Sequence, residues 1–597
     1  MNIRFEFWHW LQILPGLACG AKLFLRAALA LAMLIAGLTA PLVAEEMLVS
    51  TAPVGRPGGR LVVALRAEPK TLNPLFAADA PSLAVIRRTV GDLVHINRWS
   101  QRTEAAVAKS WTVSPDGRTV RLELRQGLRF SDGHLVDAAD VLFSYQLFLD
   151  EELGSPYRAL LMVNGKPLEV QEIDHSTIEF HFSQPQAAGL RVFDSFAILP
   201  EHLLRPLYEA GKVSEAWNLT TPPAEMAGLG PYRLKEYRSG ERVVLERNPY
   251  YWKMDVAGTR LPYINELIFI FVPTEDSQVI RFQSGETDLI DRIGARNFKI
   301  LAATSESGTY RMADLGPGLA YEFLFFNHND LSSKNLPAIQ QKQSWMNRLE
   351  FRQAISVAID RKAIVRLVYD SLASPLATHV SAGHKYWRNA QLKPTEHDPQ
   401  EARRLLGSIG FSWDEQGTLL DAEREPIEFS IITNSSNPQR IDTATLIQED
   451  LRQIGIRIQV VPLEFRSLLG RVLHSQNYEA CLLGLRSGDA DPNPDLNVWL
   501  SDGPNHLWNL GQERAFGWEV ELDRLLKGQV GEMDASERKR MYDRVQELLA
   551  ENLPVIFLVS PRVLVGAKSG IENFRPAVLD HSTLWNVEEL YWREEDG

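Results

Sequence analysis

Between Lys109 and Leu149 the chain reads KSWTVSPDGRTVRLELRQGLRFSDGHLVDAADVLFSYQLFL. Val120, Leu122 and Leu124 alternate with Arg121, Glu123 and Arg125, which predicts a strand with one apolar face. Ser114-Pro115-Asp116-Gly117 precedes it as a turn: Pro fixes φ, Asp can bond its own backbone, and Gly accepts a positive φ. Ser131-Asp132-Gly133 turns the chain again, and the period then changes. Asp137 suits an N-cap with Asp140 at the third helical position, and Val141, Leu142, Tyr145 and Phe148 form the apolar stripe of a helix.

The same reading places a buried strand at Leu61–Leu65, a helix over Ser82–Asn97, strands within 170–182 and a mostly helical segment over 201–219. Strands follow at Val243–Leu245, Ile264–Val272 and Leu319–Phe326, with a short helix at 275–290 ending at the Gly285 turn. A single long helix is predicted over 348–369, apolar at 351, 355, 358, 359, 364, 365 and 368. From Pro399 the pattern alternates: helix to Ile409, strand Ile427–Thr433, helix Gln439–Ile454, strand Ile456–Val461. That alternation points to an α/β protein with mixed sheets flanked by helices.

At 597 residues the chain is too long for one core, so two or three domains are expected. A net charge of −13 without a basic cluster argues against a nucleic-acid surface. The only cysteines are Cys19 and Cys481, which excludes a disulfide scaffold and a two-Cys metal spacing, and Cys481 in the run Ala480–Leu485 reads as a small buried hydrophobe. Lys22 and Arg26 precede the apolar run Ala27–Leu38, and Ala40 and Ala44 follow. This is the layout of a signal peptide over 1–44, with an uncleaved anchor as the alternative, and it predicts a periplasmic protein. Residues 45–59, with Pro53, Pro57 and a Gly pair, suit a flexible linker.

Several segments, in order, resemble the family 5 extracellular solute-binding proteins of ABC transporters, the peptide- and nickel-binding receptors. They are the Lys109–Leu149 unit, Leu72-Asn73-Pro74-Leu75, Gly228-Leu229-Gly230-Pro231-Tyr232, Glu246-Arg247-Asn248-Pro249-Tyr250-Tyr251-Trp252, Ser284-Gly285-Glu286-Thr287-Asp288 and Phe351–Arg361. The resemblance spans about residues 60–595. It implies a two-lobed periplasmic-binding-protein-like fold with an extra inserted domain. The parts would be 60–92, 206–310 and 556–597 for the first lobe, 93–205 for the inserted domain, and 311–555 for the second lobe. It further implies a monomer without cofactor that closes on a peptide or peptide-like ligand and delivers it to a membrane permease. Another solute (oligosaccharide, opine or metal chelate) is the alternative within that class.

The densest carboxylate cluster is Arg486–Asp495, RSGDADPNPD. A calcium loop would need Gly at its sixth position and Glu at its twelfth, where Pro494 and Leu500 stand. An acidic Asp-Pro turn is the plain structural alternative. The resemblance implies that an Asp before an acidic-Pro pair receives a ligand ammonium. Asp489 is the nearest match and Asp491-Pro492 the pair, although the spacing is one residue short, so either aspartate is a candidate. Arg486, Phe76, Ala77, Tyr321 and Trp508 are further candidates for the cleft wall. Asp79 reads as a solvated loop residue, and His379 and His384 as solvated histidines. No G-x-S-x-G, HExxH or P-loop occurs, so a secreted hydrolase of peptides or sugars is the rival without a motif behind it.

Overall fold

A computed structural model describes residues 45–194, 196–305, 308–511 and 516–593. The expected leader, 1–44, lies outside these residues. Among the described residues no helix is long and apolar enough to cross a membrane.

Three larger sheets organise the chain. The first has eight strands. Tyr232–Arg238, Arg242–Arg247 and Glu266–Phe271 form an antiparallel meander, and Arg60–Leu65 runs parallel beside the last of them. Leu289–Ile290 and then the antiparallel strands Val559–Lys568 and Tyr310–Pro317 complete its path, and Ala373–Pro375 pairs with Val559–Pro561. The second sheet orders Arg457–Leu463, Glu428–Asn434, Ala480–Arg486, Ala320–Phe326 and Ile556–Phe557. The third is an antiparallel sheet of Ala108–Val113, Thr119–Leu124, Thr177–His181 and Glu169–Asp174.

Side-chain alternation shows how the second sheet is buried on both faces. Leu324, Phe326, Ile431 and Leu482 pack under the helices Leu349–Ala358, Pro399–Ser408 and Pro438–Gln453. Tyr321, Phe323, Phe325 and Cys481 face the opposite way, against Glu519–Gly531 and Ala535–Asn552. A strand covered on both faces is apolar at nearly every position, as 320–326 is but for Glu322, whose buried carboxylate accepts from Arg440 Nε at 2.7 Å and Nη2 at 3.1 Å. In the third sheet Val120, Leu122 and Leu124 point into a core closed by helix Ala138–Leu149. Asp137 caps that helix, accepting from Ala139 N, while the Asp140 carboxylate accepts from Asp137 N in return.

Four local expectations are corrected. The helix over 82–97 is shorter, Ala80–Thr89, and Val94–Ile96 is a strand; Asp79 is its N-cap and accepts from Ser82 N at 3.0 Å. The long helix over 348–369 is two, Leu349–Ala358 and Arg361–Leu367, because Asp360 leaves the helix and caps the second piece through Ala363 N. Residues 47–59 do not act as a loose linker. Leu48–Val49 pairs with Lys253–Met254, Gly58 N donates to Tyr263 O, and Asn573 Nδ2 donates to Pro53 O. His379 and His384 are buried, not solvated.

Buried imidazoles give a pH prediction. Burial pushes His384 down to about 4 and His328 to about 3, and burial, reinforced by the charges of Arg87, Arg88 and Arg98, holds His581 well below its ordinary value. An unfolded histidine titrates near 6.5, so on acidification the unfolded chain takes up protons that the folded chain refuses. Stability present at pH 7.5 is therefore lost as the pH falls, by ~1 kcal/mol for each of these groups at pH 6. Below pH 6 the loss continues but is partly offset. Burial raises Asp140 and Asp288 to about 6, so there the folded chain gains protons first. Urea midpoints between pH 7.5 and 5 check this; His384→Gln should make the upper limb shallower.

Candidate functional site

Only two backbone segments need be followed to see how the sheets are joined. Strand Tyr310–Pro317 of the first sheet passes through Gly318 and Leu319 into Ala320–Phe326 of the second. Ile556–Phe557 of the second passes through Leu558 into Val559–Lys568 of the first. The two crossings lie side by side and antiparallel. Gly318 N donates to Pro561 O at 3.1 Å and Leu558 N to Glu322 O at 2.9 Å, so the ribbon stays hydrogen-bonded through the junction. Ser381 and Ser560 hydroxyls both donate to Gly318 O.

A cavity of about 640 Å³ opens near this junction, where Leu319 packs against Ile96 and Leu579 of its wall. Helix Ala80–Thr89 contributes Arg87 to its wall. The third sheet's surroundings contribute Arg98, Met162, Phe182, Arg191 and Asp194. The far wall is Gly488, Asp489, Asp491, Asn493 and Leu496 from the carboxylate-rich segment, and Leu579 and Asp580 come from the C-terminal part. The cavity therefore has chain from both sides of the crossings in its walls. Further bonds span the same gap: Gln101 Nε2 donates to Gly383 O at 2.6 Å, Lys385 N to Gln101 Oε1 at 3.0 Å, and Ala187 N to Val530 O at 2.8 Å.

The clustered carboxylates do not converge on one point, as a calcium loop would require. Asp489 accepts from both Nε and Nη2 of Arg191, across the cavity. Asp491 accepts from Nη1 and Nη2 of Arg538, each at 2.8 Å. Asp495 is buried and accepts from the Ser487 and Tyr542 hydroxyls. Asn493 Oδ1 accepts from Gln529 Nε2 and Arg538 Nη2, both at 3.0 Å. Burial works against the Arg191 guanidinium, but the Asp489 bond outweighs it and holds the Arg191 pKa above its ordinary value. Asp194 behaves in the mirror sense: burial opposes its charge, and Arg98, with Nη2 at 2.6 Å, outweighs burial and keeps its pKa low.

Of the residues expected at a cleft, Asp489 and Asp491 line the cavity. Arg486 does not line it; it is exposed and donates to Asp580, which does, at 2.7 Å. Phe76 and Ala77 are not brought there. Ala77 is fully buried with its carbonyl accepting from Tyr157 at 2.6 Å, and Phe76 packs against the third sheet's core. Tyr321 and Trp508 are each 1 % exposed and pack with Trp499 in the second sheet's core, so they offer no surface to the cavity. The buried tyrosine near the head of strand 320–326 shares the apolar face of Phe323 and Phe325. Arg87, Arg98, Arg191 and Asp194 were not anticipated. Arg191 lies in the short turn Gly189–Asp194, and an isolated arginine in such a segment carries no pattern.

The chain matches the bacterial extracellular solute-binding proteins, family 5, over residues 102–506, more than half its length. It belongs to that family. It is 26% identical over 546 residues to a probable ABC transporter-binding protein of Deinococcus radiodurans, with 87% of this chain and 91% of that protein covered. Among solved structures, the oligopeptide-binding protein AppA of Bacillus subtilis in complex with a nonapeptide superposes with a TM-score of 0.67 at 21% identity, covering 91% of this chain and all of that one. NikA from Brucella suis in complex with Fe(III)-EDTA does so with a TM-score of 0.73 at 21% identity, covering 89% and 100%. The family 5 chain thus has the two-lobed binding-protein fold, and its two large sheets are joined by the paired crossings described above.

Proposed function

We propose that this protein is an exported receptor that encloses a short peptide or peptide-like solute between its lobes and presents it to the permease of an ABC importer, without chemistry. The cavity at the paired crossings carries the reading. It is walled from both sides and lies in the size range of small-ligand sites, roughly 300–1,000 Å³. A ribbon of two antiparallel strands with short junctions at 318–319 and 558 is suited to bending without breaking either sheet, and hinge closure is the motion it supports. Segment 1–44 would act as the export signal and the receptor would work as a monomer.

Native purification followed by mass spectrometry of released small molecules tests the ligand class directly. A peptide is expected. A sugar oligomer or a metal chelate would move the protein to another branch of the same function. Adding the released molecule back should lower the radius of gyration in solution scattering. It should also stabilise the fold by about 2.7 kcal/mol at a hundredfold excess over Kd. Conversion of that molecule at an enzyme-like rate would establish the hydrolase instead. A fusion of residues 1–60 to a reporter active only after export should give signal; cytosolic, silent reporter would refute the export assignment.

A further inference from the structure

The charges around the cavity do not cancel. Arg98 is paired with Asp194, Arg191 with Asp489, Arg538 with Asp491, and Arg486 with Asp580. Arg87 is the exception. Its side chain lines the cavity from the last turn of helix Ala80–Thr89, and among the described residues no carboxylate stands within ion-pair distance of it. The nearby carboxylates are Asp92 and Asp194, of which Asp92 faces His95 and Asp194 is held by Arg98 and the Ile96 amide. The other nearby charges, Arg88 and Arg98, are of the same sign. Meanwhile the carboxylate best placed to receive a cation, Asp489, already holds a bidentate guanidinium. Both partners are largely shielded from water, with side chains 16% and 17% exposed. A ligand ammonium could reach Asp489 only by displacing Arg191, leaving that guanidinium without its partner inside the wall.

We propose that the cavity selects solutes by an anionic group placed against Arg87, with apolar body along Met162, Phe182 and Leu496, and that Arg191 switches off recognition of a free amine at Asp489. Arg191 is then a specificity-determining residue and Arg87 the anion-binding one. A peptide with a blocked amino end and a free carboxylate fits; one with a free amine and an amidated end does not. The inference rests on the cavity being the ligand site, as proposed above.

Three trileucine probes test it by calorimetry: the free peptide, its N-acetyl form and its C-terminal amide. Wild type should bind the acetylated probe at least as tightly as the free one, and the amide at least tenfold more weakly. Arg87→Gln should erase the acid-over-amide preference, and Arg87→Lys should restore part of it. Arg191→Gln should create a preference of tenfold or more for the free amine over the acetylated probe. Circular dichroism melts confirm that each variant is folded. Wild type preferring the free amine tenfold, with Arg191→Gln unchanged, would overturn the proposal, because Arg191 would then move aside without selecting. Acid and amide binding alike would overturn the role of Arg87. Failure of all three probes would refute the peptide reading of the cavity. The anion proposal is then judged on the molecule released from the native protein: an anionic group in it sustains the proposal, and its absence overturns it.

Discussion

Gly230→Ala should be among the most damaging conservative substitutions in this protein, costing ~3 kcal/mol or more in urea unfolding. A β-carbon on Gly230 would stand 2.4 Å from Arg88 O and 2.6 Å from Thr89 C, and one on Gly228 would stand 2.0 Å from Thr89 O. These are backbone atoms at the end of helix Ala80–Thr89, so no side chain can swing aside. The approach is fixed from several directions. Gly230 N donates to Thr89 O at 3.0 Å, Asn248 Nδ2 donates to Gly230 O at 2.9 Å, and Trp252 Nε1 donates to Leu229 O at 3.0 Å. Relieving the clash must therefore strain several buried hydrogen bonds, each a group that is costly to leave unmade. Gly407 supplies the control. It lies inside helix Pro399–Ser408 and a β-carbon there would meet nothing within 4 Å, so Gly407→Ala should stabilise by ~1 kcal/mol. Should Gly230→Ala and Gly407→Ala both prove neutral, the close approach is not a constraint on this fold.

Those glycines show what could and could not be read from the chain. The run Gly228-Leu229-Gly230-Pro231-Tyr232 and the run Asn248-Pro249-Tyr250-Tyr251-Trp252 stand out as separate motifs in the sequence. That they interlock with each other and with residues 88–89, some 140 positions earlier, is a tertiary fact that no local period encodes. Local chemistry read well where the signal was local: the Asp137/Asp140 capping box, the alternating strand 119–124, and the helix–strand succession after 399. It failed at Asp360, where an aspartate inside an apolar helical pattern is an N-cap and not a helix residue. It failed also at the cleft. Asp489, Asp491 and Asp495 look like one acidic site on paper. In the folded chain their side chains diverge to Arg191, Arg538 and Tyr542, partners 298, 47 and 47 residues away. Tyr321 looked like a wall residue because it begins a crossing strand. Strand alternation instead turns it onto the buried face with Phe323 and Phe325.

Arg538→Met should cost ~3–5 kcal/mol, because it strands the Asp491 carboxylate in the protein interior. The two side chains are each only 6% exposed, and the pair is bidentate. Arg538 also donates from Nε to Gln529 O at 3.0 Å and lies over the Trp387 ring, with Cζ 4.8 Å from its centroid, so it ties helices Glu519–Gly531 and Ala535–Asn552 to the Asp489 segment. Truncation to Met keeps most of the apolar stem and removes the charge, which separates the electrostatic effect from lost packing. Asp491→Leu together with Arg538→Met removes both charges, and it should recover much of the loss at pH 7, since replacing a buried pair by apolar groups is often neutral. A double variant as unstable as Arg538→Met alone would mean that the damage comes from lost Gln529 and Trp387 contacts, and that the ion pair contributes little.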